Sequence, residues 1–355
     1  MAGGVLPSQS IRALIAEGAI GMDRPADADQ VQPASLDLRL GGKAWRLRAS
    51  FLPGAGRGVR QRLDAFAMHE VDLTGGAVLE RGCVYLVPLI ESLALPPDIS
   101  AAANAKSSTG RLDLFTRLIA DGGTEFDRIE AGYAGPLYAE ISPRSFSVLV
   151  RPGVRLNQIR FRRGHAVLDD AALAAEHAAS RLVDGAALID GGLGFSVDLA
   201  RGFAGWRAKP HAGLIDVGRV GHYDPADFWE KVEARDGTII LDPGAFYILV
   251  SREAVHVPPH LAAEMAPYVA MVGEFRVHYA GFFDPGFGHA AAGGAGSRGV
   301  LEVRCHEAPF ALEHGQSVGR LVYERMAEVP DRLYGAGMQS NYQGQGLKLS
   351  KHFRG

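Results

Sequence analysis

Three stretches of this sequence carry side chains suited to chemistry on a small anionic molecule. The first is Ala105-Lys106-Ser107-Ser108-Thr109-Gly110-Arg111, which sets three hydroxyls, a lysine and an arginine within six residues. Hydroxyl and charge-assisted donors suit phosphate oxygens, and glycine lets the backbone come close. The same residues also suit a plain polar helix start capped by serine. They do not form a P-loop, because the G-x-x-x-x-G-K-[ST] spacing is absent. The second stretch is a glycine turn, Gly132-Tyr133-Ala134-Gly135, that leads into Leu137-Tyr138-Ala139-Glu140-Ile141. Strand alternation puts Glu140 on the face of Tyr138, opposite Ala139 and Ile141. A carboxylate among apolar neighbours resists ionisation, which moves its pKa toward that of a useful general base. The plainer alternative is a strand glutamate facing solvent. The third stretch is the tail, residues 334–354, YGAGMQSNYQGQGLKLSKHFR. Its polar, aromatic, basic and glycine residues suit a flap over a ligand, or a disordered terminus.

A repeat organises the elements that would carry these residues. Ser35-Leu36-Asp37-Leu38 recurs as Ser196-Val197-Asp198-Leu199, and Trp45 as Trp206, both at an offset of 161 in the numbering. Leu79, Gly82, Tyr85, Glu140 and Gly153 recur as Leu241, Gly244, Tyr247, Glu302 and Gly315, all at an offset of 162. Tandem duplication accounts for this near-constant offset. Within each copy, short β-branched or aromatic runs are bounded by Gly and Pro, the pattern of strands and turns. The expected fold is mainly β, a barrel or sandwich in each copy. Helix is expected only near residues 10–17 and over 169–182, where an Asp pair suits the positive end of the dipole. The boundaries read as a first copy over 1–165, a helical connector over 166–190, a second copy over 191–328 and a tail over 329–355. The glycine- and alanine-rich stretch 288–299 reads as a flexible surface loop of copy two.

Composition narrows the function classes. The 355 residues hold 37 Lys+Arg against 40 Asp+Glu, a net charge of −3, so no basic field exists for a nucleic-acid duplex. The two cysteines, Cys83 and Cys305, form no Cys-x-x-Cys pair, which argues against a thiolate zinc site. No apolar run approaches a membrane span and no secretory signal is visible, so a cytoplasmic protein is expected. His256, His260 and His278 lack helical ligand spacing, and Pro258-Pro259 interrupts the first two, so no protein-bound metal is expected.

Taken in order, the S-S-x-x-R cluster, the I-x-x-G-Y-x-G turn with a glutamate on the next strand, Arg151-Pro152-Gly153 and the Y-Q-G-Q tail resemble the dCTP deaminases of the dUTPase-like superfamily. The short N-terminal helix and Pro33 to Gly41 fit as well, and the doubled length resembles a long, duplicated subgroup. The resemblance implies two tandem dUTPase-like distorted β-barrels with a short N-terminal helix and a connecting helix. It implies a homo-oligomer, a trimer or a pseudo-hexamer, with sites between subunits. It implies hydrolysis of dCTP to dUTP and ammonia, with Mg2+ carried on the triphosphate and dTTP a possible inhibitor. Glu140 would then be the general base, with Ser107 and Arg111 orienting water and the leaving amine. Lys106 and Ser108 would face the phosphates, and Arg128, Ile129 and Glu130 would read the pyrimidine and sugar. Tyr334, Tyr342 and Gln345 would close from the tail. Three positions depart from the family pattern: Lys106 replaces an arginine, Glu130 an aspartate and Asn341 a lysine.

The better-known nucleobase deaminases use zinc with an H-x-E…P-C-x-x-C signature. Two isolated cysteines point instead to a carboxylate base with hydroxyl and guanidinium partners. Copy two lacks the serine pair and arginine, since the residues matching Lys106 to Arg111 are Tyr268 to Gly273. It keeps Phe283-Asp284-Pro285-Gly286 and Glu302. Copy two is therefore either a degenerate structural copy or the donor of Glu302 to a composite site. Two other functions stay open: a dUTPase-like or bifunctional enzyme giving dUMP, and a non-catalytic nucleotide-binding regulator.

Overall fold

The computed structural model describes residues 3–200, 202–267, 275–277, 281–335 and 344–355. The chain is mainly β, and its strands fall into two similar halves. In the first half, one sheet runs Gly4–Val5, Arg155–Arg163, Ile99–Ala105, Arg128–Ile129, with Leu36–Arg39 also on Arg155–Arg163. A second runs Ala67–Asp72, Lys43–Leu47, Val84–Ala94, Ala134–Pro143, Leu114–Ala120. Inward residues of both, among them Leu38, Val87, Leu118, Ala139 and Ile159, close on one apolar core. The second half repeats the plan. Leu193–Ser196, Ser317–Arg325, Leu261–Pro267 and Phe282–Phe283 form one sheet. Trp229–Glu233, Phe203–Ala208, Phe246–Val255, Ser297–Cys305 and Phe275–Val277 form the other.

The duplication extends to strand register. Glu140 sits opposite Leu86, and Glu302 sits opposite Ile248, a shift of 162 in both members. Arg160 opposite Ala102 becomes Val322 opposite Glu264 by the same shift. A one-residue slip would turn every core side chain outward, so two buried cores hold both registers in place.

The N-terminal helix spans Ser8–Ala16, and the connector helix spans Asp170–Ser180. Asp169 caps the connector helix by accepting from Ala172 N at 2.8 Å. Two sequence expectations need correction. A further helix occupies Val59–Phe66, where none is expected from the sequence: Val59, Leu63 and Phe66 stand at helical spacing, but the segment is only eight residues long and strongly polar between them. The stretch 288–299 is a surface loop, with Ala290, Ala291, Gly293 and Ala295 exposed, but its two ends are fixed. A Cβ on Gly288 would collide with Val255 O, and Ser297 already belongs to a buried strand.

The two copies use equivalent segments differently, and this sets the site. In copy one, residues 48–66 fold back over their own sheet. Phe51, Val59 and Leu63 pack on Leu86, Ile119 and Tyr138, the face that carries Glu140. In copy two, residues 209–229 leave their own barrel and clasp copy one. Ile215–Asp216 pairs in parallel with Val148–Val150, and Phe228 and Trp229 meet Phe146 edge-on at 5.6 and 5.4 Å. The corresponding face of the copy-two sheet, with Phe246, Ile248 and Val300, is thereby left to pack into the copy-one core.

Candidate active site

That packing encloses a cavity of about 680 Å³ between the copies. Copy one supplies Lys106, Ser107, Ser108 and Arg111 to its wall, from the turn after strand Ile99–Ala105. Lys106 leaves the strand extended, and the single helical turn Ser107–Gly110 follows, with Gly110 N donating to Lys106 O at 2.9 Å. Copy two supplies Phe282, Phe283, Asp284 and Glu302. The approach is close enough that a Cβ on Gly281 would lie 3.9 Å from Ser107 Oγ.

Glu302 is 4% exposed, and its Oε1 lies 3.7 Å from Arg111 Nε. Burial pushes its carboxyl up to about 7, against the pull of the Arg111 guanidinium. Arg111 reaches past Glu302 to the tail, donating from Nη1 to Lys348 O at 3.0 Å and from Nη2 to Gln345 Oε1 at 2.9 Å. Ser350 Oγ lies 2.7 Å from Ser108 O and 2.8 Å from His352 Nδ1, and His352 Nε2 donates to Val217 O at 3.1 Å. Burial pushes His352 down to about 4, so the neutral ring serves as a fixed strut. Phe353 closes the anchor against Phe228 and Trp229, at 5.5 and 5.9 Å.

One end of the cavity is cationic. Lys106 pairs with buried Asp37, whose Oδ2 also lies 3.6 Å from Arg155 Nη1. Arg155 grips Asp29 through both Nη atoms, at 2.9 and 2.7 Å. Lys351 lines the same end, and burial together with the charges of Lys106 and Arg155 depresses its pKa. Asp284 is buried and held by Arg160 at 3.1 Å; burial raises its pKa against that pull.

The structure brings together most of the sequence-predicted site residues. Lys106, Ser107, Ser108, Arg111, Tyr334 and Gln345 all line the cavity. Tyr334 lies 5.7 Å from Phe287, and its amide donates to Pro285 O at 2.8 Å. Glu140 does not line it. Its Oε1 accepts from Arg117 Nε at 3.1 Å and from Arg117 Nη2, beneath the cover formed by residues 48–66. Arg117 in turn lies 3.5 Å over the Phe126 ring and donates to Ser50 Oγ at 2.9 Å. Arg128, Ile129 and Glu130 do not line the cavity either. Arg128 pairs with Glu125 and Glu130 at the exposed surface, and Ile129 is core. Copy two's Phe282 to Asp284 stands on the wall in their place. Tyr342, Asn341, His278 and the copy-two residues 268–273 lie outside the described residues.

Sequence reasoning also missed Asp37, Arg155 and Lys351. No local motif marks these three, which come from separate elements; the complementary loss between the copies points only to the S-S-x-x-R cluster and to Asp284 and Glu302.

Residues 2–165 match the family model described as 2'-deoxycytidine 5'-triphosphate deaminase (DCD) N-terminal domain, and residues 169–353 match the model for the C-terminal domain. The chain belongs to the dCTP deaminase family. Among curated members, a protein from Beutenbergia cavernae named "dCTP deaminase, dUMP-forming" is 31% identical over 160 residues, 45% of this chain and 79% of that protein. One from Natronomonas pharaonis named "dCTP deaminase" is 29% identical over 163 residues, 44% of this chain and 79% of that protein. A crystal structure of 2'-deoxycytidine 5'-triphosphate deaminase from Agrobacterium tumefaciens matches with a TM-score of 0.88 and 59% identity, covering 92% of this chain and 100% of that one. In this dCTP deaminase family member no helix among the described residues is long and apolar enough to cross a membrane. No group of three or more His, Cys, Asp or Glu among the described residues is placed to hold a metal ion.

Proposed function

We propose that the chain hydrolyses dCTP to dUTP and ammonia at a single composite site, with Glu302 of copy two as the base. The observation that carries this reading is Glu302, buried on the cavity wall and 3.7 Å from Arg111 of the copy-one S-S-x-x-R cluster. Glu302 takes a proton from water as the oxygen attacks C4 and delivers it to N3 as the C4=N3 bond opens, giving a tetrahedral centre that bears both a hydroxyl and the amino group. The same carboxylate then takes the hydroxyl proton and passes it to the departing nitrogen. The C–N bond breaks, ammonia leaves, and C4 keeps the oxygen as a carbonyl. Arg111 and Ser107 orient the water and stabilise charge developing at the ring. Lys106, Ser108, Arg155 and Lys351 form the cationic end that suits the triphosphate, whose Mg2+ enters as part of the substrate. Asp284 is placed to meet the sugar, and Tyr334 and Gln345 hold the tail over the nucleotide.

The reading uses no zinc. It is supported by the residues themselves, since Cys83 and Cys305 lie in separate copies and a buried carboxylate stands where a base is needed. Both halves of the site belong to one chain, so these residues need no second chain to meet. The purified chain with dCTP and Mg2+ is expected to release ammonia and dUTP. Unchanged dCTP, with tight nucleotide binding, would instead favour the regulator.

A second reading is favoured by the naming of several relatives as dUMP-forming. It adds hydrolysis of the triphosphate after deamination. Pyrophosphate released in step with ammonia would establish it, and dUTP as the sole nucleotide product would exclude it.

The base must be ionised to act. Deamination is therefore expected to rise with pH through a limb near 7, the value to which burial brings Glu302. A kcat profile flat from pH 5.5 to 8.5 would count against this assignment.

A further inference from the structure

Arg111 and Glu302 come from different copies, and at 3.7 Å they stand beyond hydrogen-bond length. Both Nη atoms of Arg111 are committed to the tail. Their mutual approach therefore depends on how firmly the copy-two strand is registered against the copy-one turn. Two residues beyond each partner lies a second cross-copy pair. Arg304 follows Glu302 by two on strand Ser297–Cys305, so alternation places both on one face. Asp113 follows Arg111 by two on the copy-one side. Arg304 Nη2 is paired directly with Asp113 Oδ2, and the carboxylate is 1% exposed.

The pair is braced on both sides. Asp113 Oδ2 also accepts from Ser145 Oγ at 2.6 Å, and Ser145 Oγ lies 3.3 Å from Arg304 Nη2. Arg304 donates to Gly244 O as well, and its guanidinium lies 5.8 Å from the centre of the Phe246 ring. On the copy-one side, Asp113 holds a left-handed backbone, φ 53°, with its amide donating to Gly110 O at 2.8 Å and its carbonyl accepting from Arg144 N at 3.0 Å. A non-glycine residue held there is uncommon, and Asp and Asn bear it best. The turn that ends the Ser107–Gly110 helix is thus tied by its side chain to the strand that carries Glu302.

We propose that Asp113 and Arg304 are a positioning pair for this site: a buried cross-copy clamp that sets the approach of Arg111 to Glu302. The proposal rests on Glu302 being the base. The clamp touches no reacting atom. It acts through the registration of two backbones, and displacement of about 1 Å is enough to cost up to about 100-fold in rate.

The test uses the full chain and steady-state deamination of dCTP across pH. Asp113→Asn keeps the left-handed backbone and removes the charge; Arg304→Gln removes the other partner; Arg304→Lys keeps charge with poorer geometry. Each of the first two is expected to lower kcat about tenfold or more with little change in KM. The acidic limb of kcat should move to higher pH as Arg111 loses its hold on Glu302. Arg304→Lys should recover part of the loss. The double variant Asp113→Asn/Arg304→Gln should be no worse than the poorer single, since both remove one interaction. Lower thermal stability with unchanged kcat and pH limb, or additive losses in the double variant, would overturn the clamp. Glu302→Gln run alongside separates the two ideas. If it is inactive while the clamp variants resemble wild type, only the clamp fails; if it stays active, the base assignment fails and takes the clamp with it.

Discussion

Glu302→Gln is expected to lower dCTP deamination by about 100- to 10,000-fold, the usual worth of general acid–base catalysis. Glu140→Gln, at the position equivalent by the repeat, is expected to keep near wild-type turnover. The two glutamates occupy matching registers on matching strands, so strand chemistry does not distinguish them. Their covers do. Glu140 is paired to Arg117 under its own copy's helix, whereas Glu302 faces a cavity that the other copy completes with Arg111 and Ser107. Ammonia release under single-turnover conditions reads the outcome, and loss of activity in Glu140→Gln alone would reverse the assignment. The glutamine variant also carries a stability signature. The pKa of Glu302 in the folded chain, about 7, lies above its ordinary 4.5, so the folded state holds the extra proton between these values. Stability therefore falls as pH rises through that window. Glutamine has no charge to bury. Glu302→Gln should be more stable than wild type at pH 8, by up to about 3 kcal/mol, and should show little difference below pH 4.5.

The second large effect is expected from Arg160→Met. Arg160 is fully buried between the copies and serves several acceptors at once. It donates to Ala263 O at 2.9 Å and lies 3.1 Å from Asp284 Oδ1 and 3.3 Å from Glu324 Oε2. Its guanidinium stacks 4.1 Å over Phe282. Methionine fills much of the volume but leaves Asp284 without its cation, and Glu324 with Arg162 as partner. Breaking a buried pair by removing one member costs about 3–5 kcal/mol, because the remaining charge is uncompensated. Urea unfolding should show the midpoint falling by a corresponding amount. The loss should shrink at acid pH, where Asp284, its pKa already raised by burial, takes up a proton. A midpoint unchanged at neutral pH would mean that the Arg160 network adds nothing to the hold between the copies. Asp284 also lines the cavity, so substrate affinity should fall with stability.

Much of this architecture was legible in the sequence. The near-constant offset of 161 to 162 revealed two copies, and strand pairing repeats it position by position. Gly and Pro bounds marked the strands, and the Asp pair marked the start of the connector helix. The cluster from Lys106 to Arg111 was visible because its chemistry is contiguous, held on one turn. The Val59–Phe66 helix was hidden because its stability comes from packing on Leu86, Ile119 and Tyr138, which lie far off in the chain.

What the sequence alone determined was the inventory: two copies of one β design, one S-S-x-x-R cluster, two equivalent glutamates and a polar tail. It left open which glutamate meets the cluster: the loss of S-S-x-x-R from copy two raised Glu302, but both glutamates have the same local pattern of neighbours. Only the tertiary structure decided that. Segments 48–66 and 209–229 start from similar positions in their copies, yet the first packs on its own sheet and the second crosses to its neighbour. Burying the outer face of Glu140 under one segment, and opening that of Glu302 to the other copy, depends on long-range apolar contacts. Such contacts are not encoded in the local pattern: the Val59, Leu63 and Phe66 stripe says that the first segment packs on something, not on which sheet.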